Sequence, residues 1–189
     1  AVVVEPLVAS RVEILRGPAA LTLGSNVIGG AVDVRRDALP VDPVTAWSGQ
    51  AGARLGSVTN GVDGQLGASG PLGPLRVKAD VVGRRSGDLR APGRRLANTD
   101  GWGWDATGGV GLGGGWGHAA VTAGRVEAGY GIPGGFLGGH PNGVDIELER
   151  TRVDGVVELE RPMRGLADLR VTSSTKSYYH RELESSGVC

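Results

Sequence analysis

The residues best suited to chemistry in this chain are three histidines, His118, His140 and His180, and a single cysteine, Cys189. The histidines lie far apart, without the i, i+4 spacing that places two metal ligands on one helix face. One cysteine supplies neither an internal disulfide nor a Cys-x-x-Cys metal pair. No nucleophile elbow, lysine-containing phosphate loop or pair of catalytic carboxylates is recognisable. The sequence therefore predicts a protein that is not an enzyme and that holds no cofactor.

A glycine-rich stretch from Gly109 to Gly114 (GVGLGG) matches the GxGxxG pattern of dinucleotide-binding folds. That pattern requires a buried strand before it and a helix after it. Here it is followed by Gly115-Trp116-Gly117 and then by a second alternating segment. In a chain with 35 glycines, we interpret the match as accidental.

The composition excludes several classes of protein. Lysine plus arginine equals aspartate plus glutamate at 20 each, so no net field attracts nucleic acid, and none is expected as a partner. Hydrophobic residues reach 40% but aromatics only 4%, which suggests elements that bury one thin face rather than a large core. No segment approaches the roughly 18 to 20 unbroken apolar residues of a transmembrane helix. The chain begins inside a strand-like run (AVVVEPLVAS), so we expect both ends to be cuts in a longer protein.

From Ala46 onward, apolar and polar residues alternate with period two, which predicts β-strands. The clearest case is 75–84, where Leu75, Val77, Ala79 and Val81 alternate with charged residues. The pattern predicts seven antiparallel strands joined in sequential hairpins. They fall at 47–57, 62–69, 75–84, 104–112, 118–123, 153–160 and 167–176.

The predicted connections alternate between tight and long. Segments 70–73 (GPLG), 113–115 and 162–165 (PMRG) resemble tight turns, whereas 86–101 and 128–143 are long glycine- and proline-rich loops. Long strands with one apolar face, short turns at one end and long loops at the other are typical of transmembrane β-barrels. The connection at 59–61 is the exception, since it is short on the long-loop side. Four tryptophans near predicted strand ends fit an aromatic girdle, with packing in a core as the alternative: Trp47, Trp102, Trp104 and Trp116.

The first part of the chain lacks this alternation. Residues 1–34 predict a compact α+β unit with short strands, tight glycine turns and one possible helical turn at 19–21. Residues 35–45 (RRDALPVDPVT), with two prolines and four charges, predict a linker and the best domain boundary.

Residues 11–34 read RVEILRGPAALTLGSNVIGGAVDV. This block closely resembles the end of the plug domain of TonB-dependent outer-membrane receptors, with glycine and proline in register. The one visible departure is Leu23, where the family usually has tyrosine. Weaker similarity to early barrel segments of such receptors is seen at 130–133 (YGIP), at 140–154 and in the segment ending SYYHRELESSG.

The resemblance implies a mainly β chain: the end of a plug at 1–34, a linker at 35–45, and the truncated first strands of a 22-stranded barrel at 46–189. It implies a Gram-negative outer-membrane location, contact with outer-membrane lipid, and energy from TonB through a box that is missing from this sequence. It also implies import of a scarce ligand, such as a siderophore or other iron chelate, another metal, or cobalamin. These residues do not distinguish between the ligands.

The resemblance also suggests roles for individual residues. Glu13 and Arg16 fall where the family places charged plug residues that pair with the barrel wall, with ordinary half-exposed strand charges as the alternative. Tyr130 and His140 fall in a predicted ligand loop, where His140 is the one candidate metal contact and a solvated histidine is the alternative. Family glycines and a proline are expected to be structural: Gly17, Pro18, Gly24, Gly29 and Gly30.

Two other functions explain part of the pattern. A passive porin-like or autotransporter barrel explains the alternation but not the 11–34 block, and a soluble glycine-rich β-domain that binds a partner is the third possibility. The membrane hypothesis requires one set of side chains to face lipid: Leu75, Val77, Ala79, Val81, Leu169 and Val171. It requires the alternating charged set to face the lumen: Arg76, Lys78, Asp80, Asp168, Arg170 and Lys176. A soluble sheet requires the reverse arrangement.

Overall fold

A computed structural model describes residues 10–18, 29–36, 38–134 and 143–184 of the chain. The described protein is mainly β and has essentially no helix. Among these residues, no helix is long and apolar enough to span a bilayer. The chain divides into two compact units, Ala1–Asp37 and Ala38–Cys189.

The first unit contains its own two-stranded sheet. Strand β1 (Arg11–Arg16) pairs antiparallel with β2 (Gly30–Arg35), and neither strand joins the large sheet. The helical turn predicted at 19–21, on which the α+β expectation rested, lies outside the described residues.

The second unit is built around one antiparallel meander. Seven strands, each hydrogen-bonded to the next large strand along the chain, follow the order β11-β10-β9-β8-β5-β4-β3, so the predicted seven-stranded meander is confirmed. Its members are β3 (Ser48–Gly56), β4 (Gly61–Leu72), β5 (Leu75–Ser86), β8 (Gly101–Gly114), β9 (Gly117–Ile132), β10 (Val144–Met163) and β11 (Leu166–Glu184). The strands end at tight turns on one border of the sheet and at longer connections on the opposite border. We call the border with the tight turns the turn edge and the opposite border the loop edge.

Three sequence-based expectations are corrected by the strand bounds. The predicted loop at 86–101 contains a small hairpin, β6 (Leu89–Ala91) and β7 (Arg94–Leu96). Strand β9 continues to Ile132, so the first five residues of the predicted 128–143 loop are strand. The strands β9 to β11 have 16 to 20 residues and begin or end well beyond the alternating segments. The GxGxxG match lies inside β8, so no helix follows it.

The register assigns every side chain to one of two faces, because directly paired residues point to the same side. Leu75 pairs with Leu112, Leu112 with Ala119, and Val157 with both Ala119 and Val171, which places these residues in one row. We call the side of this row the apolar face. The opposite side, which carries Arg76, Lys78 and Asp80, is called the charged face.

The apolar face is largely exposed, whereas the buried side chains, most of them hydrophobic, lie on the charged face. Many aliphatic side chains of the apolar face are exposed: Leu55, Val62, Leu66, Val81, Val110, Leu112, Val121, Val153, Val157, Leu169 and Val171. The buried side chains of the described strands lie on the charged face: Val82, Asp105, Ala120, Thr122, Ala128, Val144, Ile146, Leu148 and Val156. Val82 is only 1% exposed and Asp105 5%, whereas Leu66 is 60% exposed.

The segment that precedes β3 lies on the charged face. Pro40 packs so closely over β8 that a Cβ added at Gly111 would collide with its carbonyl oxygen, and one added at Gly109 would lie 3.2 Å from its Cδ atom. Arg76 donates a side-chain hydrogen bond to the Val41 carbonyl. The boundary between the two units, at 37/38, falls inside the predicted 35–45 linker, but the linker's second half is held against the sheet.

This packing predicts the effect of one methyl group. The Cβ of Gly111→Ala would overlap the Pro40 carbonyl, so the segment must shift, and we expect a loss of about 1 to 3 kcal/mol of unfolding free energy. Gly115→Ala is the control, because its Cβ points into open space. Chemical denaturation followed by tryptophan fluorescence measures both, and equal midpoints for the two variants would contradict the packing.

Candidate functional site

The two charged residues predicted to pair the plug with a barrel wall lie on β1. Glu13 is directly opposite Asp33, and the Arg11 Nη2 atom lies 2.5 Å from the Glu13 Oε1 atom. Arg16 is exposed at the end of the strand, opposite Gly30. Glu13 therefore has a cation partner within its own sheet. Pairing of either residue with a barrel wall stays a prediction.

The glycines of the 11–34 block shape the β1–β2 end. The Gly17 amide donates to the Gly29 carbonyl at 3.1 Å, and both residues have positive φ, at 66° and 83°. Side chains other than glycine rarely adopt this conformation. A Cβ at Gly30 would approach the Leu15 carbonyl oxygen to 2.9 Å, so this position also requires a glycine. Pro18 continues the turn that starts at Gly17, and Gly24 lies outside the described residues.

Tryptophans border the apolar face at both edges of the sheet. Near the loop edge, Trp104 Nε1 donates to Glu127 Oε2 at 3.2 Å, and Trp102 packs over Gly129. At the turn edge, Trp116 lies in the β8–β9 turn, and Trp47 packs over Gly70. The aliphatic residues of the apolar face lie between these two borders.

The limit of the aliphatic region towards the loop edge runs obliquely across the strands. Above the Leu75–Val171 row, the apolar face remains aliphatic as far as Val81 on β5 and Ala123 on β9. On β11 nothing aliphatic follows until Leu183, since Ser173 and Thr175 come next. On β5 the limit, Val81, is six residues beyond the row, whereas on β11 it is Val171, which belongs to the row itself. The limit therefore shifts by about six residues over the four steps from β5 to β11, or about 1.5 residues per strand. For strands about 4.8 Å apart, a tilt of 35–45° requires about 1 to 1.5 residues per strand.

Beyond this limit the same face becomes an ion-pair surface. Arg125 Nη2 lies 2.6 Å from Glu127 Oε1 and 3.0 Å from Glu149 Oε1. Arg181 Nη2 lies 2.5 Å from Glu147 Oε2 on the neighbouring strand. Charged groups at this density require water, so the loop-edge part of β9 to β11 is a hydrated continuation of the sheet.

Tyr130 is placed differently from the expectation. It lies in β9 rather than in a loop, on the charged face, directly opposite Ile146. Asn98 fastens this end of the sheet, because its side-chain amide donates to the carbonyls of Ile132 (2.9 Å) and Val144 (3.3 Å). His140, the other predicted ligand residue, lies outside the described residues.

The two remaining histidines are separate from each other. His118 Nε2 lies 4.0 Å from Glu158 Oε2, whereas His180 Nε2 lies 3.4 Å from Glu182 Oε1 and its ring stacks on Tyr178. Within the described ranges, no group of three histidine, cysteine, aspartate or glutamate residues could hold a metal ion.

A hairpin at the loop edge carries a concentration of arginines that the sequence reasoning missed. Residues 84–96, which we call the arginine hairpin, include β6 and β7 and the Pro92-Gly93 turn between them. Five of its residues are arginines: Arg84, Arg85, Arg90, Arg94 and Arg95. The Pro-Gly dipeptide was the available signal, because it favours a tight turn.

Asp88 and Thr99 close the base of the arginine hairpin. The Thr99 amide donates to Asp88 Oδ1 at 2.9 Å, and the Leu89 amide donates to Thr99 Oγ1 at 2.8 Å. Arg95 Nε lies 3.1 Å from the other Asp88 oxygen. The Thr99 amide, followed by the Arg95 charge, lowers the pKa of the Asp88 carboxyl below its ordinary value of 3.8.

Comparison with known proteins adds no relative: no protein-family model matches the chain, and no curated protein is similar to it in sequence.

The Asp88 contacts predict a pH-dependent anchor. Because the folded-state pKa is depressed, the anchor contributes above the unfolded-state pKa and is lost as the pH falls through the folded-state pKa. Asp88→Asn should remove this dependence and open the hairpin, so trypsin at neutral pH should cleave after Arg90, Arg94 and Arg95 several-fold faster. Asp168→Asn, on β11 near the turn edge, is the control, and trypsin should cleave it at the same rate as the unaltered protein. Unchanged cleavage of Asp88→Asn would refute the anchor.

Proposed function

We propose that this chain is part of a TonB-dependent outer-membrane receptor, with the end of the plug at 1–34 and the first barrel strands in the seven-stranded sheet. The receptor captures a scarce ligand at the cell surface, such as a metal chelate or cobalamin, and imports it with energy from TonB. The 11–34 block supports the receptor family, and the sheet supports the barrel.

The observation that carries the proposal is the exposed aliphatic face of the sheet. In water, Val81, Leu112 and Val171 would be expected to face a core, yet they are exposed on the apolar face. The buried side chains lie on the charged face and are mostly hydrophobic, such as Val82 and Ile146, with Asp105 and Thr122 as the polar ones. A lipid environment reverses the usual preference, since hydrocarbon covers the aliphatic face and the lumen hydrates the charged one. A depression of about 340 Å³ on the apolar face, lined mainly by aliphatic side chains such as Leu75, Val121 and Val157, suits an acyl chain.

The dimensions of the aliphatic region also fit a bilayer. Ten residues of β8 separate Trp104 from Gly114, next to the Trp116 turn. At about 3.3 Å per residue, this segment is about 33 Å long. With a strand tilt of about 40°, its height is about 25 Å, the usual height of the apolar band in outer-membrane barrels. The tilt agrees with the oblique limit of the aliphatic residues.

Pro40 and Val41 lie against the charged face, as the proposal expects of a segment that connects a plug to the barrel. In the family, the plug precedes the barrel and fills its lumen, so the connecting segment must run along the inner wall. Pro40 and Val41 contact Gly111 and Arg76 on the charged face. A connection along the lipid-facing side would have been incompatible with the proposal.

The membrane part of the proposal predicts opposite outcomes for two adjacent residues. Val77→Arg places a charge within the aliphatic band and should cost about 2 to 4 kcal/mol in the full-length protein folded in lipid. Lys78→Gln, on the charged face, should be tolerated. If this face were exposed to water instead, Val77→Arg at a partly exposed site would change the stability by less than about 0.5 kcal/mol. Denaturation from phosphatidylcholine vesicles and recovery in the outer-membrane fraction distinguish these outcomes.

The receptor part predicts a closed pore. In a planar bilayer, the full-length protein should show no steady conductance until a denaturant releases the plug, because the plug fills the lumen. A passive porin would conduct at once, and a soluble β-domain would not insert. Steady conductance without denaturant would exclude the receptor and leave the membrane barrel standing.

A further inference from the structure

The arginine hairpin is the strongest local concentration of positive charge in a chain that is neutral overall. Its 13 residues carry five arginines and only one acidic residue, Asp88. An arginine cluster of this kind produces a local positive potential that attracts anions even when the whole protein has no net charge.

The pairing of β6 with β7 makes the arginine cluster energetically unfavourable without a ligand. Arg90 is directly opposite Arg95 in the β6–β7 pair, and Arg94, the first residue of β7, is opposite Ala91 on the other face. Like charges directly opposite one another destabilise a two-stranded ladder. Asp88 offsets only Arg95, at 3.1 Å. Within the described part of the chain, no carboxylate forms an ion pair with Arg90 or Arg94, and both are exposed.

The hairpin is held in place rather than left as an open loop. The Gly87 amide donates to the Thr59 carbonyl at 2.7 Å, and the Arg90 amide donates to the Val58 carbonyl at 3.2 Å. These bonds fasten the hairpin to the β3–β4 turn, and the Asp88–Thr99 contacts close its base. The arginines are therefore presented from a fixed backbone, which lowers the entropy lost when a ligand is bound.

We propose that the arginine hairpin binds an anion with at least two phosphate or carboxylate charges around its tip, through Arg90 and Arg95 on one face and Arg94 on the other. Guanidinium groups suit this chemistry, since their planar donors form paired hydrogen bonds with such groups. The hairpin is at the loop edge, beyond the Trp102 and Trp104 border. Resting on the proposed function, the inference names the substrate class: an anionic chelate that is first captured at the cell surface.

The test measures binding of tripolyphosphate to the full-length protein in neutral detergent. The Arg90→Gln/Arg94→Gln double variant should bind about tenfold more weakly or worse, because two charge-assisted contacts are lost. Arg90→Lys/Arg94→Lys should bind more tightly than the double glutamine variant but more weakly than the unaltered protein, because the charges remain while the paired hydrogen bonds are lost. Added salt should weaken binding to the unaltered protein. Arg164→Gln, a matched arginine in the turn at the opposite edge, should bind as the unaltered protein does. Equal affinity of the double glutamine variant and the unaltered protein would overturn the proposal.

A second arm identifies the source of the anion. Vesicles of phosphatidylglycerol and of phosphatidylcholine replace tripolyphosphate, with the same variants. Loss of phosphatidylglycerol binding alone in the double glutamine variant assigns the site to lipid headgroups and overturns the soluble chelate. The Val77→Arg experiment does not involve the hairpin, so failure of the proposed function and failure of the anion-binding inference can be distinguished. A protein that requires lipid but binds anions without Arg90 and Arg94 refutes this inference alone, and one that is stable in water refutes the receptor.

Discussion

The structure depends on the register of one antiparallel ladder. From β3 to β11, each large strand is hydrogen-bonded to the next, and the pairing fixes which side every residue faces. A slip of one residue anywhere would move Leu75, Leu112 and Val171 to the side of Arg76 and Asp80. The exposed aliphatic face, the tryptophan borders and the arginine hairpin all require this register. The tight turns at 73–74 and 115–116 hold it with short connections that leave little freedom to shift.

Where the two faces differ in polarity, the sequence predicted the strands. Alternation located all seven strands of the meander and placed Leu75 to Val81 on one side. It failed towards the loop edge, where β9 and β10 carry charges on the apolar side too, such as Arg125, Glu127 and Glu149. The backbone ladder continues there although the hydrophobic periodicity has ended. Strand length was therefore underestimated, and Tyr130 was assigned to a loop.

The arginine hairpin was missed for a related reason. Strands of three residues contain too few positions for alternation to appear, and arginines occupy both faces of this pair. Its conformation depends on Thr99 and Asp88, whose side chains replace backbone partners across 11 residues of chain. Such a contact is invisible to local patterns. The 11–34 block is the opposite case, because the resemblance to receptor plugs marked Gly17 and Gly29 as structural glycines, and both have the left-handed backbone that glycine adopts readily.

The two outermost strands of the sheet, β3 and β11, impose a further, hydrogen-bonding constraint. Within the described residues, β3 and β11 each pair on one side only, and β11 is 19 residues long and exposed throughout. A long, open strand edge is a template for aggregation, and soluble proteins cover it, shorten it or twist it away. A soluble domain would have to cover both these edges and the aliphatic face. Closing the sheet into a barrel with further strands pairs both edges, and lipid covers the face. In the proposed barrel, one arrangement would thus satisfy both the hydrogen-bonding and the hydrophobic constraints.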